Sequence, residues 1–577
     1  MNNLIKQLTN AQEITSESQL RRVLSTSSPV YFDTETQGLY GEIALVQMNI
    51  NNKLYYLYPF KVSKFLKILK EIDPYIIGIN IAYDFNSLKW IPSKWEDLQW
   101  AARIQYPEFQ KYSLDILITK FIGYNPYSLL QVDKKKMQKF EKWKAGEEVS
   151  ISQLYYALLD VLYLPYIHKK VAPAFKVKAY ILDKKVQDII MDVQDNKILV
   201  DKKNLLKEIT ILKNEIKKLE EEKIELAGED FNIRSYQQVR EVLGTTESSK
   251  AFLTNLVSQG NRLAEIILKL RTLYKQLQIL ESYNTPEGWV QTIFKVYGTI
   301  TGRFSATGDG IKNGINAQQI PRQYQYLFQH NTEDTVALHL DYSTAEVRAA
   351  AAIYPDVTLA QYLKEGVDIH KASAQLITNK PLDQITKKER QNAKAVTFGF
   401  LFGMSAPTFV EYAFVNYGVK FTLEEATQIR KRFLTKYKGV NNWVNYWWGH
   451  WEKEYPTSPL GRKIKPKIGT EAINFPIQSA IGETTKLALI ALVKRDPIYR
   501  KYVFNIIHDA IDLRIPKEEI EQRVPEVVDA MLEAWEYINN YPAFKIKTIP
   551  MGVEYAYVNS KGNKITKEIF RSPKLKE

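Results

Sequence analysis

The sequence predicts a multidomain chain of mixed class, α/β in its N-terminal part and α+β towards its C-terminal end. Three observations predict this. With 577 residues the chain is too long for one hydrophobic core and should divide into about three or four domains. Up to about residue 175, short apolar strands alternate with helical stretches, as in a mixed sheet covered by helices. From about residue 180 apolar residues recur at helical spacing, and from about 290 strands and helices mix again.

In the first part the strands are Val30-Tyr-Phe-Asp33, Ile43 to Met48, Leu54 to Leu57 and Ile76 to Ile79. Acids stand where strands end: Asp33-Thr-Glu35 closes the first, and Asn80-Ile-Ala-Tyr-Asp84 follows a later one. In Tyr156-Ala-Leu-Leu-Asp160 a spacing of four puts Tyr156 and Asp160 on one helix face. Four acids grouped so closely would repel one another without cations to neutralise them.

Beyond 180, Leu205, Ile209, Leu212, Ile216, Leu219 and Leu226 recur amid Lys and Glu, and a second amphipathic stretch runs from about 261 to 283. Two long helices are expected. Glu220-Glu-Glu222 and Gly228 break the seam early, which argues against an extended coiled coil.

The remainder holds two apolar runs that each deliver an aspartate: Leu338-His-Leu-Asp341-Tyr-Ser-Thr-Ala-Glu346-Val-Arg348 and Ile506-Ile-His508-Asp509-Ala-Ile-Asp-Leu513. Two carboxylates brought together suit Mg²⁺, with Mn²⁺ able to substitute. Two such ions can clamp the attacking and leaving oxygens of a phosphoryl displacement. Between these runs Arg390, Lys394, Phe398 and Phe402 recur every fourth residue, so that on a helix they share one face. Its two cations can hold a triphosphate and its two aromatics can stack on a base or sugar. The aromatic stretch Asn441 to Trp451 is read as packing between helices.

Composition narrows the function classes. With 79 Lys and Arg against 65 Asp and Glu, the net charge of +14 favours a polyanionic partner. The chain has no cysteine, which excludes disulfides, thiolate metal sites and cysteine nucleophiles. Neither a signal peptide nor a run of about 18 apolar residues is present, so a cytoplasmic protein with no membrane partner is expected. The lack of cysteine beside many Lys, Glu, Ile and Tyr residues is compatible with a thermophilic source.

The ordered segments around Asp341, Arg390 and Asp509 resemble motifs A, B and C of the family A DNA polymerases. Thr301-Gly-Arg303-Phe-Ser305 and Asn474-Phe-Pro-Ile-Gln478 look like two further signatures. The N-terminal acids resemble the three motifs of the DEDD exonucleases, in the variant with tyrosine in the third. The resemblance implies an RNase H-like 3′–5′ exonuclease domain (1–175), a thumb (176–290), a palm in two parts (291–356 and 451–577) and inserted fingers (357–450). It implies Asp33, Glu35, Asp84 and Asp160 as holders of two metal ions, with Tyr156 positioning the attacking water. In the palm it implies Asp341 and Asp509 as holders of two Mg²⁺, Glu346 as the block at the sugar 2′ position, and His508 at the primer terminus. Arg303 and Gln478 would touch the minor groove, and Asn474 and Arg348 would stand among the substrate residues. The partners implied are primer–template DNA and dNTPs, met by a monomer.

Several positions depart from the family pattern. Ala510 stands where a glutamate is usual, and Asp512, two residues along the same strand face, is the candidate to replace it. Phe402 stands for the usual tyrosine, and Thr470 for a frequent arginine. Two other classes compete: a single-subunit RNA polymerase, against which Glu346 and the Asp33 site argue, and a non-catalytic nucleic-acid binding protein, which has no need to keep all six acids.

Overall fold

In the N-terminal part of the computed structural model the short edge strands β1 (Gln12–Glu13) and β6 (Trp95–Asp97) flank β2 (Val30–Thr36), β3 (Ile43–Ile50), β4 (Lys53–Leu57) and β5 (Ile76–Gly78), which are rich in β-branched and aromatic residues. The structure describes residues 2–130, 143–559 and 563–573. These strands make one mixed sheet in the order β1-β4-β3-β2-β5-β6. The pairs β2–β3 and β3–β4 are antiparallel and the others parallel. Burial alternates strictly along β2, with Phe32 and Thr34 in the core and Asp33 and Glu35 on the opposite face. The helix Ile151–Leu162, started by a Ser150–Gln153 capping box, packs against β2 and β3 and brings Asp160 to the same region.

The helix Lys178–Val193 packs against the long helix Gly469–Arg495, and so belongs to the largest core among the described residues. A separate core begins at Ile198. There β7 (Ile198–Leu199) pairs with β8 (Trp289–Val290), and the helices Lys202–Ala227 and Arg262–Tyr283 pack together along Leu205, Ile209, Leu212, Ile216 and Leu219. The 26-residue first helix is ~39 Å long at 1.5 Å per residue. It ends at Gly228, whose φ of 75° is the left-handed cap that glycine takes without strain.

After the hairpin of β9 (Ile293–Lys295) and β10 (Ser305–Thr307) comes the second large sheet. It contains β11 (Thr335–Ser343), β12 (Val503–Ile507), β13 (Ala510–Pro516), β14 (Met551–Val558) and β15 (Lys564–Arg571), in the antiparallel order β12-β13-β11-β14-β15. The helix Ile520–Asn539 covers one face, where the Tyr342 hydroxyl donates to the Met531 carbonyl at 2.7 Å. Asp341 stands on the other face. The chain between β11 and β12 is an insertion of helices, among them Ala345–Ile353, Lys387–Leu401 and Lys438–His450. No described helix is long and apolar enough to cross a membrane.

Two candidate metal centres

The first centre lies on the face of β2 that carries Asp33 and Glu35. Ligand atoms of Asp33, Glu35 and Asp160 come within 4.8 Å of one another. Asp84, at the start of the helix Ala82–Leu88, completes the set through Thr34, whose backbone N–H and hydroxyl donate to its carboxylate at 2.8 and 2.6 Å. Each of two further acids has its own donor: the Gln47 amide reaches Asp33 at 2.5 Å, and the Tyr127 hydroxyl donates to Asp160. Burial, followed by repulsion from Asp84, Asp160 and Glu35, pushes the Asp33 carboxyl well above its ordinary range. Burial and then Asp160 and Asp84 do the same to Glu35, while burial raises Asp84 to about 7 against the Thr34 hydrogen bonds. A cluster of oxygens so short of cations fits a pair of hard divalent ions.

Tyr156, expected on this site, is buried and its ring lies 5.5 Å from that of Tyr127. Sequence reasoning missed Gln47, Thr34 and Tyr127. Gln47 left a signal, one of two buried amides, with Asn49, in the otherwise apolar strand β3, directly across the ladder from Asp33. Tyr127 left none.

The second centre is built by β11 and the β12–β13 turn. Asp341 lies near the end of β11. Asp509 is the second residue of a two-residue turn, between Ile507 and Ala510, that opens on His508 at φ 57°. Left-handed geometry in a residue other than glycine marks a turn held by its surroundings. Thr344, at φ 50°, similarly bends the chain from β11 into the helix carrying Glu346. Burial and then Asp509 raise Asp341 to about 7. Asp509 is also raised, by burial, with Arg303 pulling the other way. Asp341 Oδ1 is buried and has no hydrogen-bond partner. An orphaned carboxylate oxygen beside a second acid fits a divalent ion.

Arg303 pairs with Glu346 at 2.7 Å. Its stem packs on Gly482, where an added Cβ would come within 3.0 Å of Arg303 Cγ. Asn474, Gln478 and Gly482 recur every fourth residue of the helix Gly469–Arg495, so the three signature side chains gather on one wall. The cationic and aromatic stripe is helical as expected, over Lys387–Leu401 with Phe402 as its cap. Arg390 is held by Asp368 at 2.5 Å; the Phe398 and Phe402 rings stack at 6.1 Å.

Two of the expected residues have partners within the protein. Arg348 is buried and donates to the carbonyls of Ser343 and Pro550 at 2.9 and 2.7 Å, with its guanidinium 4.8 Å from the Phe570 ring. It clamps β11 to β14, and it lines the same cleft as Asp368, His370 and Arg390. Asp512 does lie on the face of Asp341, but its buried carboxylate is taken by His339 Nδ1 at 2.6 Å, Gln329 at 3.2 Å and Asn505 at 3.3 Å, so it cannot serve as a replacement metal ligand.

Comparison with known proteins gives the same division. Residues 202–560 match the model of DNA polymerase family A, and residues 7–176 that of a 3′–5′ exonuclease. DNA polymerase I of Aquifex aeolicus is 26% identical over 612 aligned positions, covering 94% of this chain and 97% of the relative. DNA polymerase I of Geobacillus stearothermophilus is 27% identical over 60% of this chain, and the thermostable DNA polymerase I of Thermus thermophilus 26% over 61%; these matches span 43% and 44% of those longer relatives. The POL domain of Pol1 from M. smegmatis, solved with DNA primer-template and dNTP, superimposes with a TM-score of 0.74 at 17% identity, covering 94% of this chain and 98% of that one. Matched by the polymerase model over more than half its length, the chain belongs to DNA polymerase family A, a template-directed DNA polymerase that carries its own 3′–5′ exonuclease domain.

Proposed function

We propose that Asp341 and Asp509 form the polymerising centre and Asp33, Glu35, Asp84 and Asp160 the excising one, each holding two Mg²⁺. The observation that carries this is the pairing of two separate carboxylate centres on two different sheets, each with acids pushed up by burial and mutual repulsion. Bound there, the ions supply a lowered pKa for the attacking oxygen and charge stabilisation for the leaving one. The protein's own part is positioning. Asp341 and Asp509 present their oxygens from a rigid strand and a strained turn. Arg390 and Lys394 neutralise the triphosphate of a dNTP, which must draw Arg390 from Asp368. Phe398 stacks near its sugar and base, and Phe402 lies towards the template. Glu346 closes the space at the 2′ position. Arg303, Gln478 and Asn474 test the terminal base pair from the minor-groove side, where acceptors are common to all pairs, and His508 meets the primer end.

In this reading residues 291–356 and 451–577, around the sheet of β11–β15, are the palm, the helices within 357–450 are the fingers, and 176–290, with its paired helices from 198 onward, is the thumb that grips primer–template DNA. A mispaired primer end moves to the first centre, where Tyr156 orients the attacking water and Gln47, Thr34 and Tyr127 hold the acids. The neighbour solved with primer-template and dNTP supports DNA and dNTP as ligands, and the net charge of +14 supports a polyanion. The test is extension of a labelled primer with deoxy- or ribonucleotides in Mg²⁺. Template-directed growth with dNTPs is expected. Preference for ribonucleotides would favour the RNA polymerase alternative, and absence of growth the non-catalytic one.

A further inference from the structure

We propose that Glu554 is a third carboxylate of the polymerising centre, reaching the ion at Asp341 through one of its coordinated waters. The inference rests on the assignment of Asp341 and Asp509 above, and its geometry comes from strand register. Asp341 stands directly opposite Glu554 in the β11–β14 ladder. On its other side, one step past the Leu340–Ile511 pair, its neighbour on β13 is Ala510. Ala510, Asp341 and Glu554 therefore form one row on one face of the sheet, and facing residues of antiparallel neighbours have Cβ atoms about 4.5–5.5 Å apart. The next row is Asp512, His339 and Ala556. Of the other acids on this face, Asp512 is sequestered by His339, Gln329 and Asn505, and Glu568, opposite Glu554 on β15, stands two strands away from Asp341. Glu554 is exposed. No hydrogen bond or ion pair joins it to a described residue, while across from it the buried Oδ1 of Asp341 lacks a partner. Among the described residues, only Asp33, Glu35 and Asp160 bring three ligand atoms within 4.8 Å, so Glu554 is placed in the outer sphere. Mg²⁺ characteristically keeps several waters for such contacts.

Mn²⁺ binding to the full-length protein, followed by the EPR signal of the free ion, tests this without catalysis. The class of sites lost in Asp341→Ala identifies the polymerising centre. Glu554→Gln is expected to weaken that class by roughly tenfold, the lower end of the cost of losing an outer-sphere partner. The Mg²⁺ needed for half-maximal extension should rise by a like factor, with the rate of 3′ excision unchanged as the check on folding. Adding Ala510→Glu to the same variant puts a carboxylate on the opposite flank of Asp341 and should restore affinity; alone, it should tighten it. If Asp341→Ala removes the class while Glu554→Gln leaves it unaltered, or if Ala510→Glu restores nothing, the inference is wrong. If Asp341→Ala leaves every Mn²⁺ site intact, the assignment of the centre itself is wrong.

Discussion

Glu346 and Arg303 neutralise each other at 2.7 Å beside Asp509, so each is held ready in the side of the pocket proposed to take the sugar and the terminal base pair. Truncating Glu346 to Ala opens the space at the 2′ position and is expected to lower discrimination against ribonucleotides by roughly 10–200-fold, the range over which a specificity pocket discriminates by packing alone. The ratio of kcat/KM for a dNTP and its ribonucleotide checks it, and an unaltered ratio would remove Glu346 from that role. At the other centre, Gln47→Leu keeps the volume of a buried side chain but withdraws the donor from Asp33. Excision of single-stranded DNA should fall by about 10–100-fold, the usual cost of an outer-sphere partner, while extension stays as it was. Equal loss of both activities would mean that Gln47 serves the fold and not the site.

Elements with a strong period were legible, and their neighbours across space were not. Alternation along β2 put Asp33 and Glu35 on one face, and the fourfold spacing of Arg390 to Phe402 gave a helix over Lys387–Leu401. In the aromatic stretch Val440, Val444 and Trp447 are buried and Trp443 stacks on Tyr354 at 4.9 Å, in keeping with packing. Strand period also put Asp512 on the face of Ala510. What the sequence hides is register: nothing within β13 tells that His339 lies opposite Asp512, or that Pro550 and Phe570, some two hundred residues downstream, enclose Arg348. The tip of the paired helices shows the same dependence on distant partners. Lys223, buried in the helix Lys202–Ala227, binds Glu220, Asp230 at 2.7 Å and the Phe231 carbonyl at 3.0 Å. Lys223→Ala should speed amide exchange over Phe231–Val239 by roughly tenfold or more, since a polar group left without its donor costs about 1–3 kcal/mol. Exchange across β11–β14 should not change, and protection kept at the tip would show that Lys223 does not hold it.

The two catalytic halves are joined by a buried knot of charge. Asp183 accepts from Arg462 at 2.8 Å and Lys486 at 2.6 Å, all three inaccessible to solvent, with the buried Glu483 close by. Asp183→Ala strands two buried cations and should cost about 3–5 kcal/mol, visible as a lower Tm for the whole chain. The carboxylates give stability a dependence on pH and metal. Asp84 and Asp341 are raised from an ordinary value near 3.8 to about 7. Between those values the folded state holds protons that the unfolded state has released, so metal-free stability falls as pH rises through that window. In EDTA the Tm should be lower at pH 8 than at pH 5.5, and Mg²⁺ should raise it at pH 8 and scarcely at pH 5.5; an equal response at both would deny that these acids are the ligands. Two independent metal centres for two opposed reactions can be separated by giving Asp341→Ala and Asp33→Ala the same labelled primer–template, with matched and mismatched 3′ ends. Asp341→Ala should shorten the primer and never lengthen it. Asp33→Ala should extend the matched primer and leave the mismatch in place, each lost activity falling by ~10³-fold or more. Loss of both activities in either variant, or full retention of both, would contradict that separation.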